Sequence, residues 1–228
     1  MEKIVVLSGA GISAESGIKT FRDSGGLWEE YAIEDVATPE AWQRNPKLVL
    51  DFYNKRRSQL LSVEPNIAHK SIVALEKKFD VTIITQNVDD LHERAGSRNV
   101  VHLHGELLKV RSEKYESLIY DWKKDLFLGD LCEKGTQLRP HIVWFGELVP
   151  MMDKAIAIVR EADIVIVVGT SMNVYPAAGL IHASKWDARK FIVNPDKEVR
   201  VTNHANIKYI FENATKGIPV LVAELMNG

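Results

Sequence analysis

Ile4-Val5-Val6-Leu7 runs directly into Ser8-Gly9-Ala10-Gly11-Ile12-Ser13-Ala14-Glu15-Ser16-Gly17. Four continuous apolar residues suit a strand covered on both faces. The glycines that follow let the chain turn tightly into a helix and bring bare backbone close to a phosphate at a helix start. The same pattern also fits a tight strand-to-helix turn with no ligand. Five further apolar, mostly β-branched runs resemble the first: Val81–Thr85, Val100–Leu103, Ile164–Val168, Phe191–Val193 and Ile207–Phe211. Helical periodicity separates several of them, over Asn66–Phe79, Met151–Glu161 and Tyr175–Trp186. Strand alternating with helix predicts an α/β fold, a Rossmann-like doubly wound parallel sheet.

Two stretches break the alternation. About Asp23 to Val63 the chain is aromatic-rich and reads as helical, with Pro39 and Pro46 placed as first helical residues. About Lys109 to Pro140 it is polar, charged and without convincing periodicity. Both are expected to form a small second lobe. The whole chain, 1–228, then reads as one domain, with a core of roughly 1–22, 64–108 and 141–228 and a lobe of 23–63 and 109–140.

Composition bounds the function. Of 228 residues, 46% are apolar and 26% charged, the balance of a chain that buries a core. Lys and Arg number 29 against 31 Asp and Glu, a net charge of -2 that gives no electrostatic reason to expect nucleic acid or a membrane as partner. Cys132 is the single cysteine, which rules out an intrachain disulfide and a multi-thiolate metal site. The front of the chain carries no targeting pattern, and the cytoplasm is expected.

Polar residues gather where strands end. Thr85-Gln86-Asn87-Val88-Asp89-Asp90-Leu91-His92 follows the second strand, and amides and carboxylates there can hold ribose hydroxyls or a carboxamide. An Asx turn and a helix N-cap would explain one of Asn87, Asp89 and Asp90, but not the whole cluster. His102-Leu103-His104-Gly105 follows the third strand, where a histidine can serve as a general base or as a satisfied structural group. Val167-Val168-Gly169-Thr170-Ser171 repeats the glycine turn. Thr20-Phe21-Arg22-Asp23-Ser24-Gly25-Gly26-Leu27-Trp28 suits a lid over a nucleotide. No second strand ends in the acid that a dehydrogenase uses to hold ribose.

Taken together, Gly9–Arg22, Thr85–His92, His102–Gly105, Val143–Glu147, Gly169–Ser171 and Val174–Ala178 resemble the signature set of the sirtuins, in that family's order. The nearest likeness is to bacterial CobB-type NAD-dependent protein deacylases. The resemblance implies NAD as co-substrate and acyl-lysine-bearing proteins or peptides as partners, with a monomer expected. It implies transfer of the acyl group to ADP-ribose through an alkylimidate, with nicotinamide, free lysine and O-acyl-ADP-ribose as products. His104 would be the general base, with Asn87 and Asp89 at the nicotinamide end and Gln86 on the ribose. Ala10, Phe21 and Arg22 would cover the cofactor, while Gly169, Thr170, Ser171, Asn194 and Ala214 would hold the adenosine half. Expected cofactor contacts extend to Gly9, Gly11, Ser13, Glu15, Thr20, Trp28, Val88, Pro195 and Asp196. Val143, Phe145, Gly146 and Glu147 would pair with the substrate peptide as an added strand.

Tyr53 and Arg56 lie three residues apart, hence on one helix face, and together could clamp a carboxylate. The run Lys55-Arg56-Arg57 otherwise suggests a solvated basic face. Tyr-x-x-Arg resembles the pair of those sirtuins that remove succinyl and malonyl groups, and Ala37 matches the small residue that widens their acyl pocket. Activity on acidic acyl-lysines as well as acetyl-lysine is therefore expected. The chain departs from most sirtuins in its small lobe, where Ser112 replaces the first of four zinc cysteines and Cys132 alone remains, so no zinc is expected. Tyr115, Leu118, Ile119, Tyr120, Trp122, Leu126 and Phe127 are expected to supply an apolar core in its place. Lys19 stands where proline is common. A non-catalytic NAD or ADP-ribose binding module and an ADP-ribosyltransferase are the competing readings.

Overall fold

The computed structural model describes residues 1–20, 30–170, 177–201 and 205–228. Chain order begins with β1 (Lys3–Ser8), the short α1 (Gly11–Ala14), α2 (Ile33–Val36), α3 (Pro39–Arg44), α4 (Pro46–Ser62) and α5 (Ile67–Leu75). It continues through β2 (Asp80–Thr85), α6 (Leu91–Ala95), β3 (Val100–His102), β4 (Gly105–Ser112), β5 (Ile119–Asp121) and β6 (Leu138–Ile142). It closes with α7 (Met152–Glu161), β7 (Ile164–Val168), a 3-10 helix (Ala177–Ala183), β8 (Arg189–Val193), β9 (Ile207–Ile210) and α8 (Ala214–Asn227).

The six apolar runs form one parallel sheet in the order β3-β2-β1-β7-β8-β9. This is the Rossmann-like order, with its reversal between β1 and β7. Alternation along β1 sends Ile4 and Val6 to one face and Val5 and Leu7 to the other. The first face packs on α5 and α8 through Ile72, Leu75, Ile218 and Leu221, all fully buried. The second packs on α7 and the 3-10 helix through Ala155, Val159 and Ile181. Each Val, Leu or Ile among them contributes about 1.5–3 kcal/mol by leaving water. Register keeps the strand ends level, with Ser8 opposite both Thr85 and Val168, Thr85 opposite His102, and Val168 opposite Val193. Gly9, Gln86, Leu103, Gly169 and Asn194 therefore leave the sheet along one edge.

Three expectations change. The helix expected over Tyr175–Trp186 is, over Ala177–Ala183, a 3-10 helix. It ends where the amide and hydroxyl of Ser184 both take the Ile181 carbonyl, at 3.1 and 2.7 Å. The aperiodic stretch from Lys109 to Pro140 contributes to a three-stranded antiparallel sheet of order β5-β4-β6. Pro140 lies on its edge strand, where a missing N–H is tolerated. The basic run on α4 is not uniformly solvated: Arg57 is 1% exposed, donating to the Leu107 carbonyl at 3.1 Å and to Asn54 Oδ1 at 2.7 Å.

The prolines act as expected. Pro39 and Pro46 open α3 and α4, each capped by the preceding residue, Thr38 accepting from Ala41 N and Asn45 from Leu48 N. One face of α4 then buries Val49, Phe52, Tyr53 and Leu60 against Trp144, Leu107 and Val36. That contact brings the helical part of the lobe over the edge where the strands end.

Candidate active site

The two glycine turns touch each other. Gly9 N donates to the Val168 carbonyl at 3.0 Å and Gly11 N to the Gly169 carbonyl at 2.8 Å. A Cβ on Gly9 would lie 2.7 Å from the Gly169 oxygen, and one on Gly11 2.8 Å from Gly169 Cα. Gly169 itself has φ +64°, where side chains are disfavoured. Glycine is thus required by the junction between the turns, and a bare backbone surface is the result.

Behind this junction Asn87 is nearly buried. Its Nδ2 donates to the Gly9 carbonyl at 3.1 Å and to Ser13 Oγ at 3.2 Å, while its backbone N donates to Thr85 Oγ1 at 3.0 Å. Ser13 Oγ donates to Asp89 Oδ2 at 2.9 Å, and Asp89 Oδ1 accepts from Leu91 N at 3.2 Å. Burial pushes the Asp89 carboxyl up, against the lowering effect of those two hydrogen bonds.

The two histidines of His102–Gly105 part ways. His104 Nδ1 sits 3.0 Å from the Gln86 carbonyl. A carbonyl only accepts, so Nδ1 carries the proton and Nε2 is left as the basic nitrogen. Burial holds His104 below the usual imidazole range, the Gln86 bond acting the other way, so the ring is neutral near pH 7. His102 Nδ1 donates to the Asn87 carbonyl at 3.0 Å and its Nε2 meets Glu93 Oε1 at 2.7 Å. Burial alone would lower His102, but Glu93 outweighs it and the group is raised. His102 thus has both ring nitrogens engaged, while His104 keeps Nε2 as a neutral acceptor nitrogen.

These elements enclose a cleft of about 450 Å³, within the range of small-molecule sites. One end is lined by Ala10, Gly11, Glu15, Gly169, Thr170, Asn194, Pro195, Asp196 and Ala214. Asn194 bridges it, Nδ2 donating to the Thr170 carbonyl at 2.9 Å and Oδ1 accepting from Asp196 N at 2.9 Å. The middle holds Thr20, Gln86, Asn87, Val88 and His104. Gly9, Ser13 and Asp89 do not line this cleft; Ser13 and Asp89 border a small adjoining recess, and all three stand behind Asn87. Phe21, Arg22, Trp28 and Ser171 lie outside the described residues.

The other end is lined by Ala37, Tyr53, Arg56, Val143, Trp144, Phe145, Gly146 and Glu147. Burial lowers Arg56, with Tyr53 and Asp89 acting to raise it. Burial likewise pushes Tyr53 up to about 12, so its hydroxyl keeps its proton. Trp144 Nε1 donates to the Tyr53 hydroxyl at 3.0 Å. The Glu147 carboxylate accepts from Arg139 at 2.8 and 3.2 Å, from Arg111 at 3.4 Å and from Trp144 N at 2.7 Å. Its geometry is that of a brace tying its own loop to β4 and β6. Val143 N donates to the His104 carbonyl, Phe145 N to Ala37 O and Glu147 N to Trp144 O. Those donors, with Trp144 N, are engaged within the chain and are not available to an incoming strand.

In the small lobe, Ser112 Oγ lies 2.6 Å from Thr136 Oγ1, which lies 3.1 Å from Cys132 Sγ. Ser112 also accepts from the backbone N of Lys114 and Tyr115. Among the described residues no group of three or more His, Cys, Asp or Glu is placed to hold a metal ion. Leu126, Cys132 and Leu138 pack with Leu50 and Val110, with Leu118, Tyr120 and Trp122 against them. Ile119 and Phe127, expected in that core, are instead 43% and 59% exposed. Ile119 points outward from a three-residue edge strand, and Phe127 opens an exposed turn, its carbonyl accepting from Asp130 N at 3.2 Å.

Residues 9–176 match the model of the Sir2 family. The chain belongs to that family. This sirtuin is 56% identical over 227 residues to an NAD-dependent protein deacylase of Helicobacter pylori, covering 99% of this chain and 96% of the relative. It is 51% identical over 227 residues to one of Bacteroides thetaiotaomicron, covering 97% of each. Its fold is similar to a solved Sir2 homologue–NAD complex at TM-score 0.88 and 40% identity, covering 99% of this chain and 90% of that one. A Sir2–p53 peptide–NAD+ complex aligns at TM-score 0.81 and 29% identity, covering 99% of this sirtuin and 94% of that chain.

Sequence reasoning about this sirtuin passed over Asn213, which joins the cleft wall beside Ala214, and Trp144. Asn213 carried no signal beyond sitting before an apolar helix. The signal for Trp144 was present: a buried indole N–H needs an acceptor.

Proposed function

We propose a division of the cleft into a cofactor half and an acyl half that meet at His104. The chain is an NAD-dependent protein deacylase of the Sir2 family. NAD fits the bare backbone beside the glycine junction, where the packing of one turn on the other excludes any Cβ, together with the Asn194 bridge. When bound it would supply an electrophilic ribose carbon, to which the acyl oxygen bonds as nicotinamide leaves. The residues proposed to hold it are Ala10, Gly11, Glu15, Thr20, Gln86, Val88, Gly169, Thr170, Asn194, Pro195, Asp196 and Ala214. Asn87, its Nδ2 fixed by Gly9 and Ser13, presents its amide edge to the middle of the cleft. Asp89 positions Asn87 through Ser13.

One observation carries the catalytic assignment. His104 has its proton pinned on Nδ1 by a main-chain carbonyl, so Nε2 is free of choice of tautomer and can take a hydroxyl proton at neutral pH. Its role is general base toward a ribose hydroxyl. On the acyl side, Ala37, Val143, Phe145 and Gly146 form the wall that receives acyl-lysine, while Glu147 braces the loop. Tyr53 and Arg56 supply a hydroxyl donor and a guanidinium to the same buried end, a pairing useful for a carboxylate. The substrates are therefore succinyl- and malonyl-lysine as well as acetyl-lysine in proteins or peptides. Among the described residues no helix is long and apolar enough to cross a membrane.

The test is turnover of matched acetyl- and succinyl-lysine peptides with NAD, without added metal, followed by mass spectrometry of peptide and O-acyl-ADP-ribose. His104→Ala is expected to lower turnover of both peptides by roughly 10²–10⁴. Arg56→Met is expected to reduce succinyl turnover selectively. Binding of NAD with no acyl-dependent consumption would refute these roles, in favour of a binding module or an ADP-ribosyltransferase.

A further inference from the structure

We propose that Trp144 is a specificity-determining positioning residue, which fixes where the hydroxyl hydrogen of Tyr53 points and so favours acidic acyl groups over neutral ones. The inference rests on the acidic-acyl reading above and adds a residue to it.

The indole Nε1–H is a donor only. At 3.0 Å from the Tyr53 oxygen it makes that oxygen an acceptor. The hydroxyl hydrogen of Tyr53 must then point away from Trp144. A phenolic hydrogen prefers the ring plane, which leaves it essentially one alternative direction. Tyr53 and Arg56 line the same end of the cleft, three residues apart on α4. A carboxylate seated there would meet a cation and a hydrogen-bond donor already turned toward it. A terminal methyl, as in acetyl, has no use for that donor.

The indole is itself held from three sides. The Arg139 guanidinium lies 3.3 Å from its ring centre, and Trp42 packs against it at 5.9 Å. Glu147 Oε2 accepts its backbone N–H at 2.7 Å and also takes Arg139, so ring and backbone are tied to one ion pair. Trp144 is 2% exposed. The direction of its N–H is thus set before any substrate arrives. With phenylalanine at 144 the Tyr53 hydroxyl would be free to turn, and a carboxylate would have to order it on binding.

The experiment compares kcat and KM on acetyl- and succinyl-lysine peptides of one sequence, for wild type, Trp144→Phe, Tyr53→Phe and the double variant. The readout is the ratio of succinyl to acetyl KM within each protein, so any general loss cancels. Trp144→Phe is expected to raise that ratio roughly five- to tenfold, less than the loss of a whole hydrogen bond to a charged group, because the Tyr53 hydroxyl can still turn and donate. In the Tyr53→Phe background it is expected to add nothing, because the hydroxyl it acts through is gone. Benzothienylalanine at 144, which keeps the shape and lacks the N–H, is the second variant should phenylalanine leave a void that prevents folding, and the same rise is expected.

An unchanged ratio in both 144 variants would overturn the proposal. So would a rise of equal size with Tyr53 already replaced, which would mean that Trp144 acts through pocket shape. A wild-type protein inactive on the succinyl peptide, or a ratio unmoved by Arg56→Met, would remove the acidic-acyl reading itself and the proposal with it.

Discussion

Acidification to pH 5 should weaken this fold through one histidine outside the cleft. His69 on α5 is fully buried, and neither of its ring nitrogens has a hydrogen-bond partner among the described residues. Its ring meets that of His92 edge-on at 4.9 Å. Burial pushes His69 down to about 4. In the unfolded chain an imidazole titrates near ~6.5. Between these values the unfolded state binds a proton that the folded state refuses, so stability falls as pH falls through that window. Integrated from pH 7.5 to pH 5.0, the loss is about 2 kcal/mol from His69 alone. That is a large share of the ~5–15 kcal/mol by which a domain is stable. His92 is also lowered, by burial first and then by His69 and His102, and its loss adds to the same side.

The assay is urea unfolding of wild type and His69→Phe at both pH values. Phenylalanine keeps an aromatic edge for His92 and removes two buried nitrogens without breaking any hydrogen bond of the described residues. Wild type should lose about 2 kcal/mol more than the variant between the two pH values. Carboxylates titrating elsewhere cancel in that difference. Equal pH dependence in the two proteins would refute the reasoning, as would an NMR titration of His69 with a midpoint near ~6.5.

Gly9→Ala should cost about 1–3 kcal/mol, because the new Cβ meets the Gly169 carbonyl and Thr170 and neither is the end of a flexible side chain; calorimetry with a wild-type Tm would contradict this. Glu147→Gln leaves Arg139 poorly compensated in a nearly buried pair and should lose about 3 kcal/mol in urea unfolding, a loss under ~0.5 kcal/mol counting against the brace. Prolonged EDTA treatment should leave Tm and turnover unchanged, and Cys132→Ser should stay within about 1 kcal/mol of wild type. Unfolding of the lobe on chelation would show that a metal holds it.

The parallel sheet was legible because its strands are covered on both faces and so read as uninterrupted apolar runs. The small sheet was not: β5 is three residues long, two of them exposed, and β6 carries Arg139 and Pro140. The last helix, α8, escaped because Gly217 and Pro219 interrupt its pattern; Pro219 stands inside the helix, past the four N–H groups that lack a partner in any case, and so removes one donor from its ladder. At the site, the residues that end strands announced themselves as polar groups after apolar runs. Their division of labour did not. Nothing local separates His102 from His104, since each has its Nδ1 on a distant carbonyl, 15 positions away in the chain for His102 and 18 for His104. Glu147 looked like a substrate contact for the same reason: its partners Arg139 and Arg111 reach it only through the pairing of β4 with β6.

The acceptors that set the two histidines are main-chain carbonyls of consecutive residues, Gln86 for His104 and Asn87 for His102. No side-chain substitution at 86 or 87 deletes a carbonyl. The tautomer of His104, the proposed base, is therefore shielded from direct mutation in a way that a carboxylate-held histidine is not. Its exposure to mutation is indirect, through whatever moves that backbone, above all Thr85 Oγ1, which accepts the Asn87 N–H, and Ser8 and His92 behind it. Evolutionary drift at this site should consequently be tolerated among the visible contact residues more readily than among the buried hydroxyls that shape the loop.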